Sequence, residues 1–389
     1  MTFWLNSQNV FDYLNTHGLY SEPKQSQIEQ TIAKNFNLII SLSNGQKLLI
    51  KQERYSPGGR SSDEFCNEWR IQEFLQQFPE LNYFHAFLPE VIHFDPENSI
   101  IVARYLTNYR DLTEFYRTEN QFPASLASAI AQVLAEIHRT TFERRDYQEF
   151  FTQQPQGIPT GHPLTVIRRL ERITPEVFGA VPTDGLKFFA LYQRYESLQS
   201  TIAQLLDDYA PCCLTHNDLK LNNILLHHDW EQMLLGVDAS APSAMRLIDW
   251  ERCAWGDPAF DLGMLIGSYL SLWLNSLVVS KTIAIEESLR MAVTPLEQLQ
   301  PSMAALMTTY LQRFPEIVER CPNFLVRSVQ FAGVALILQI QATLQHAKLF
   351  GNTGICSLQV AKGLLCRPEQ SIATVFGATT FARTELQPA

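Results

Sequence analysis

A short polar segment between two apolar stretches carries side chains that could move a phosphoryl group. Asp218 is followed by Lys220 two positions later and by Asn223 five positions later. After another apolar approach, the segment Ile-Asp-Trp-Glu places a second carboxylate at Asp249. A carboxylate can orient a hydroxyl and accept its proton, and carboxylate or carboxamide oxygens bind Mg²⁺, a hard cation. We therefore interpret Asp218 as the group that handles an acceptor hydroxyl, and Asn223 and Asp249 as metal ligands.

The same residues could also serve the fold alone. Asp218 and Asn223 could cap a turn, and Asp249 could cap a helix. That interpretation does not explain why two such blocks occur in this order, each beside a predicted strand. The joint pattern favours chemistry.

The two blocks carry a resemblance to known kinases. His-x-Asp-Leu-Lys-x-x-Asn at 216–223 and Ile-Asp-Trp-Glu at 248–251 resemble the kinase catalytic loop and metal-binding segment. Asp-Trp-Glu in place of Asp-Phe-Gly is similar to the aminoglycoside phosphotransferase and choline kinase superfamily of small-molecule kinases. The segment Trp-Gly-Asp-Pro-Ala-Phe-Asp-Leu at 255–262 is similar to that superfamily too.

The resemblance covers nearly the whole chain and implies an α+β, two-lobed, protein-kinase-like fold. Residues 1–105 would form a small antiparallel-sheet N-lobe, with the nucleotide-binding sheet and a glutamate-bearing helix. Residues 106–389 would form a large, mostly helical C-lobe with the catalytic loop, the metal site and the acceptor-binding helices.

Several elements are expected to position these side chains. Residues 1 to about 30 have the apolar spacing of one or two helices. An alternating segment from residue 36 to 42, the turn Asn44-Gly45 and a returning segment at 47–51 predict a β-hairpin. A second hairpin is expected at 89–105, and helices are expected at 126–138 and from 262 onwards.

The hairpin at 36–51 ends on Lys51, and a predicted helix over 62–78 places Glu68 on or beside its apolar face. By resemblance, Lys51 is the lysine that reaches the α- and β-phosphates of a nucleotide, and Glu68 is its partner. The alternative is a solvated Lys51, with Glu68 paired to a nearby arginine. Order, spacing and element types favour the Lys51–Glu68 pair.

The nucleotide site departs from the kinase pattern in one respect. No Gly-x-Gly-x-x-Gly precedes the lysine strand, so a different loop must cover the phosphates, with Lys34 and Asn35 as candidates. The resemblance also implies that the backbone from Ala103 to Tyr105 forms the hinge that meets adenine.

Further residues are assigned supporting roles by the resemblance. His216, Asp257 and Asp261 are expected to support the catalytic loop. Lys220 lies where protein kinases keep a lysine facing the γ-phosphate. His138 is expected to be a packed, hydrogen-bonded histidine.

An insertion at 227–244 contains glycine and proline and is expected to form a hairpin or mobile loop. The adjacent His227 and His228 suit neither a helix-face nor a strand-face metal pair, so both are expected to be exposed.

Composition excludes several other classes. The chain has 389 residues, 46% of them hydrophobic, and a net charge of −10, which gives no electrostatic footprint for nucleic acid. Its seven cysteines form no CxxC pair and are expected to be free thiols in a reducing cytosol. The N-terminus lacks a secretory signal pattern. The uncharged stretch 262–280 is long enough to span a bilayer, but its glycines and serines favour a buried helix of the C-lobe.

The sequence thus predicts a cytoplasmic phosphotransferase that uses ATP and Mg²⁺ and moves the γ-phosphoryl group to a hydroxyl of a small-molecule acceptor, without a nucleic-acid or membrane partner. A Ser/Thr-type protein kinase is one alternative. Lys220 favours it, but the absence of the glycine triad and the absence of an Ala-Pro-Glu segment oppose it. A nucleotide-binding pseudokinase scaffold without turnover is the other. It is opposed by the presence of every expected catalytic side chain.

Overall fold

Two compact units make up the chain. A computed structural model describes residues 3–20, 27–32, 35–54, 64–153, 162–171, 183–236, 243–278 and 285–378. The first unit comprises Met1–Asp111 and Asn223–Cys253, and the second comprises Leu112–Asn222 and Ala254–Ala389. The first unit therefore includes two segments of the predicted C-lobe, residues 106–111 and 223–253.

A five-stranded antiparallel sheet, in the order β1-β2-β3-β5-β4, is the frame of the first unit. Its strands are β1 Ile28–Ile32, β2 Phe36–Ser41, β3 Lys47–Gln52, β4 Val91–Asp95 and β5 Ile100–Arg104. Both predicted hairpins are confirmed. The helical prediction for residues 1–30 is confirmed for α1, Val10–Thr16, but is wrong at β1. There, pairing with the edge of β2 satisfies the backbone, and this interaction overrides the local pattern.

The two faces of this sheet differ. One face carries buried apolar side chains of β2, β3 and β5, such as Ile40 and Ile50, which pack against Val10 and Leu14 of α1. Residues directly opposite each other in antiparallel strands share a face. Because Lys51 pairs with Asn37 on β2 and with Ile101 on β5, these side chains point to the other face.

Helix α2, Glu64–Gln77, follows β3 and is succeeded by a 3₁₀ helix, Pro79–Ala86. It confirms the predicted glutamate-bearing helix. Residues 62 and 63, where the helix was predicted to begin, lie outside the described residues. A small antiparallel sheet, in the order β6-β8-β9, completes the unit. Its strands are β6 Tyr109–Asp111, β8 Ile224–His227 and β9 Met245–Leu247.

The insertion at 227–244 differs from its prediction. Its described part contains a short helix, α9, Trp230–Leu235, whose Trp230 side chain is buried; residues 237–242 lie outside the described part. His228 is exposed, as predicted. The prediction was wrong for His227, which is buried because its ring packs edge-on against Tyr109 at 4.9 Å and its Nδ1 accepts from the backbone N–H of Asp229.

The second unit is largely helical. Its described helices before the catalytic segment are α3 Leu112–Glu119, α4 Ala124–Thr141, α5 Arg145–Thr152, α6 Pro163–Glu171, α7 Thr183–Gln193 and α8 Glu196–Asp207. Those after it are α10 Pro258–Asn275, α11 Ile285–Arg290, α12 Leu296–Arg313, α13 Glu316–Arg320, α14 Phe324–His346, α15 Asn352–Cys366 and α16 Pro368–Phe376. Strands β7, Cys213–Thr215, and β10, Ala254–Gly256, pair antiparallel. The predicted α+β fold class is confirmed.

Helices α10 and α14 pack closely through small residues. A Cβ atom on Gly263 would lie 2.3 Å from the Cβ of Phe331, and one on Gly267 would lie 2.5 Å from the Cβ of Ala335. The uncharged stretch at 262–280 forms, over residues 262–275, the buried helix that we predicted. Among the described residues, one helix, α14, is long and apolar enough to cross a membrane, and 67% of its most apolar window is buried.

Candidate functional site

The predicted catalytic loop begins directly after β7, and a carboxylate on α10 holds its backbone. Asp261 accepts the N–H of His216 at Oδ2 and the N–H of Asn217 at Oδ1, both at 2.7 Å. Asn217 has φ +64°, a conformation that asparagine tolerates better than most residues. The entry of β7 into the loop depends on Gly256, because a Cβ there would lie 2.1 Å from Thr215 Oγ1.

Asp261 is itself fixed by a buried chain of polar groups. His138 on α4 places Nε2 3.2 Å from Asp261 Oδ2 and Nδ1 2.8 Å from the hydroxyl of Tyr310. Burial raises the pKa of Tyr310 well above its ordinary value, so its hydroxyl stays protonated. His138 is thus packed and hydrogen-bonded, as predicted, and contacts the residue that holds the loop.

Asp218 and Lys220 form an ion pair within this loop. Lys220 Nζ lies 2.9 Å from Asp218 Oδ2, with the two side chains 35% and 8% exposed. The N–H of Asp218 donates to Nδ1 of His216 at 3.3 Å, so the side chain of His216, which was predicted to support the loop, contacts its backbone. A buried carboxylate beside a partly exposed lysine can accept a hydrogen bond from a hydroxyl, while the lysine meets negative charge.

Asp257 supports the loop indirectly. Its carboxylate caps α10, accepting the N–H of Ala259 at Oδ1 and that of Ala210 at Oδ2, both at 3.0 Å. It also forms a buried ion pair with Arg327 of α14, whose side chain is 2% exposed. Asp257 therefore fixes the start of the helix that carries Asp261.

Sequence reasoning missed Arg327. A signal was present, because Arg327 is the one charged side chain among the Asp, Glu, Lys and Arg residues of α14. A lone arginine in a long apolar helix needs a buried anion.

In the first unit, Lys51 and Asp249 are in direct contact. Lys51 Nζ donates to Asp249 Oδ1 at 2.7 Å, and the Lys51 side chain is 17% exposed. The partner predicted for Lys51 was Glu68, and its contact with Asp249 was not predicted. Burial favours the neutral form of Lys51, but the charges of Glu68 and then Asp249 outweigh it, so the pKa of Lys51 is raised.

Glu68 is buried, and its Oε2 has no hydrogen-bond partner in the described part of the chain. Burial raises the pKa of Glu68, and the charge of Lys51 opposes that shift. Lys51 is therefore the cation that favours ionised Glu68.

The two predicted metal ligands lie at the same end of two neighbouring antiparallel strands. Asn223 precedes β8, Asp249 follows β9, and the N–H of Ile248 donates to the carbonyl of Asn223 at 2.9 Å. Asp249 has φ +61°, a strained conformation of the kind that recurs at functional sites.

No group of three or more His, Cys, Asp or Glu that could hold a metal occurs among the described residues. One carboxylate and one carboxamide nevertheless fit Mg²⁺, which is usually held by one or two protein ligands together with phosphate and water oxygens.

The expected nucleotide-binding backbone differs in detail. Ala103 lies within β5 opposite Leu49, and the N–H of Tyr105 donates to the carbonyl of Lys47 at 2.8 Å. That N–H is engaged in the sheet, so a contact of Tyr105 with adenine must use another group. Asn35 directly precedes β2, and Lys34 is outside the described residues.

Asn37 is a second residue that sequence reasoning missed. It lies directly opposite Lys51 on the same face of the sheet, and its Oδ1 is buried with no hydrogen-bond partner in the described ranges. A two-residue turn at Asn44-Gly45 would have placed Leu38 opposite Lys51, but the structure pairs Ser41 with Lys47 and therefore brings Asn37 there. An unsatisfied buried carboxamide oxygen on the same face as Lys51 is suited to a polar ligand.

Comparison with known proteins places the chain in a family. One similar solved structure is the choline kinase LicA from Streptococcus pneumoniae, with 16% sequence identity over 92% of this chain and 98% of that chain and a TM-score of 0.46. A choline/ethanolamine kinase family protein from Mesorhizobium loti has 15% identity over 90% of this chain and 93% of that chain, with a TM-score of 0.46. The macrolide 2'-phosphotransferase MphH from Brachybacterium faecium has 14% identity over 93% of this chain and 99% of that chain, with a TM-score of 0.47. A comparison with curated proteins finds no match. A model of the phosphotransferase enzyme family matches residues 54–279, which is more than half of the 389 residues. The chain belongs to the phosphotransferase enzyme family.

Proposed function

We propose that this chain transfers the γ-phosphoryl group of ATP to a hydroxyl group of a small molecule and that it requires Mg²⁺. The observation that carries the proposal is the ion pair of Asp218 and Lys220 in a loop whose backbone is held by Asp261. In a phosphotransferase, such a pair supplies a proton acceptor and a neutralising cation on neighbouring side chains.

Asp218 orients the acceptor hydroxyl by accepting its hydrogen bond. It takes the proton late, because the transition state of phosphoryl transfer is loose and the bond from the hydroxyl oxygen to phosphorus is little formed at that point. Lys220 meets the charge of the transferring group.

The face of the sheet that carries Lys51 and Asn37 binds the nucleotide. Lys51, with Glu68 beside it, binds the α- and β-phosphates, and Asn37 adds a polar contact on the same face. Asn223 and Asp249 would hold Mg²⁺, which would neutralise negative charge on the phosphates. A cytoplasmic location, and the absence of nucleic-acid and membrane partners, remain predictions from composition.

A screen of hydroxyl-bearing metabolites with ATP and Mg²⁺, followed by ADP release, tests the proposal. Asp218→Asn is the matched control, because it keeps the shape of the side chain and removes its basicity. We expect this variant to lose about 10²-fold or more in kcat while it still binds ATP.

An arm with casein tests the protein kinase alternative, and ATP binding without any acceptor turnover would favour the scaffold. Transfer to casein alone would overturn the small-molecule acceptor. An Asp218→Asn variant that keeps more than about a tenth of the rate would overturn the assignment of the base.

A further inference from the structure

A carboxylate at the end of β3 binds the N-terminus of α2. Glu53 lies two residues after Lys51 and is fully buried, and its Oε1 accepts the N–H of Phe65 at 2.6 Å. Phe65 is the second residue of α2, and Glu68 follows three positions later. One side chain thus connects the strand that carries Lys51 to the helix that carries Glu68.

The physical chemistry of a helix end makes this contact strong. The first N–H groups of a helix have no partner within the helix and carry partial positive charge. A carboxylate there makes a short, charge-assisted hydrogen bond. Because Glu53 is buried, water cannot replace it, and its loss would leave the N–H of Phe65 without an equivalent acceptor.

A second contact holds α2 to the segment after Asp249. Asn67 donates from Nδ2 to the carbonyls of Glu251 at 2.8 Å and Cys253 at 3.0 Å. Glu68 follows Asn67 directly, so α2 is fixed both to the strand of Lys51 and to the segment of Asp249. Those two elements carry the groups that are in direct contact, Lys51 Nζ and the carboxylate of Asp249.

We propose that Glu53 is a positioning residue for nucleotide binding: it anchors α2 so that Glu68 stays beside Lys51. This inference rests on the proposed function, because it assumes that Lys51 binds nucleotide phosphates.

Electrostatics separates positioning from a simple effect of charge. Burial is the main cause that raises the pKa of Glu68, and the negative charge of Glu53 adds to that rise. Through charge alone, removing Glu53 would therefore favour ionised Glu68 and strengthen its attraction to Lys51. Positioning predicts the opposite, a weaker nucleotide site.

The experiment compares Glu53→Ala with Glu53→Gln, which keeps an acceptor oxygen but no charge. The matched control is Asp95→Ala, since Asp95 is another buried carboxylate of the same unit and accepts the N–H groups of Glu97 and Asn98 in the β4–β5 turn. Calorimetry measures the Kd for ATP with Mg²⁺, at a temperature where circular dichroism shows every variant folded. Hydrogen exchange of the peptide covering α2 reports the anchor itself.

We expect Glu53→Ala to raise the Kd for ATP about tenfold and to speed exchange in the first turn of α2. Glu53→Gln should lose less affinity, because its oxygen still accepts the N–H of Phe65. Asp95→Ala should lower thermal stability and leave the Kd unchanged.

A double-mutant cycle tests the route through Glu68. In a Glu68→Ala background, Glu53→Ala should no longer change the Kd, because the residue that it positions is absent. An unchanged Kd in the Glu53→Ala single variant would overturn the inference, as would an equal loss in both backgrounds. If wild-type protein binds no ATP, the proposed function fails, which is a different result from wild-type binding that is insensitive to Glu53.

Discussion

Replacing Arg327 with methionine removes the cation of a buried ion pair that joins α14 to the start of α10. The side chains of Arg327 and Asp257 are 2% and 1% exposed, so neither charge can turn to water. Methionine keeps a similar length and apolar stem. The variant therefore tests the charge more than the packing.

The structure sets the size of the effect. Removing one partner of a buried pair costs about 3 to 5 kcal/mol. Asp257 would keep its two N–H donors, from Ala259 and Ala210, and the favourable field at the start of α10. We therefore expect Arg327→Met to lower the free energy of unfolding by about 3 kcal/mol, at the low end of that range.

Asp257→Asn should cost more, about 4 kcal/mol, because it removes the carboxylate in contact with the buried guanidinium and leaves it with the charge of Asp208. Burial already lowers the pKa of Arg327, which shows the penalty on its charged form. The double variant buries neither charge, so its cost should fall short of the sum of the single costs by about 2 kcal/mol or more.

Urea unfolding followed by far-UV circular dichroism measures these differences. Arg320→Met is the matched control in the same unit, because Arg320 is 51% exposed and pairs with Glu143 at 2.9 Å. Such a surface pair contributes only about 0 to 1 kcal/mol. The reasoning would be refuted if Arg327→Met cost no more than this control, or if the two single costs simply added.

Three further changes test the site and the first unit. Asp249→Ala should weaken ATP binding in the presence of Mg²⁺ far more than in its absence, as titrations under both conditions would show; unchanged metal dependence would contradict the ligand role. Asn37→Leu should raise the free energy of unfolding by about 1 kcal/mol, because it removes a buried carboxamide oxygen without a partner, and it should weaken ATP binding; an unaffected Kd would refute a nucleotide contact. Burial, followed by the neighbouring charge of His17, lowers the pKa of His93 below 6.5, so the folded state binds fewer protons than the unfolded state. The free energy of unfolding should therefore decrease as the pH falls below 6.5. His93→Phe should reduce the difference between the free energies of unfolding measured in urea at about pH 7.5 and about pH 5.5. An equal difference in both proteins would exclude this histidine.

The sequence determined the features that depend on neighbours along the chain. Alternation and the Asn44-Gly45 turn predicted the hairpin of β2 and β3, and helical spacing predicted α2 and α4. The spacing of Asp218 and Lys220 within one short loop likewise indicated a shared site. These signals are local because a turn, a helix face and a loop motif each involve residues only a few positions apart.

Tertiary structure decided which charged and polar groups meet. Lys51 contacts Asp249 across 198 residues, and no local pattern predicted that Glu53 would accept the N–H of Phe65. Residues 28–32 form the strand β1 rather than a helix, because their backbone groups hydrogen-bond to the edge of β2. In each case, burial removes water from a charge or a backbone group, and the group then takes whichever partner the fold brings within reach, however distant in sequence.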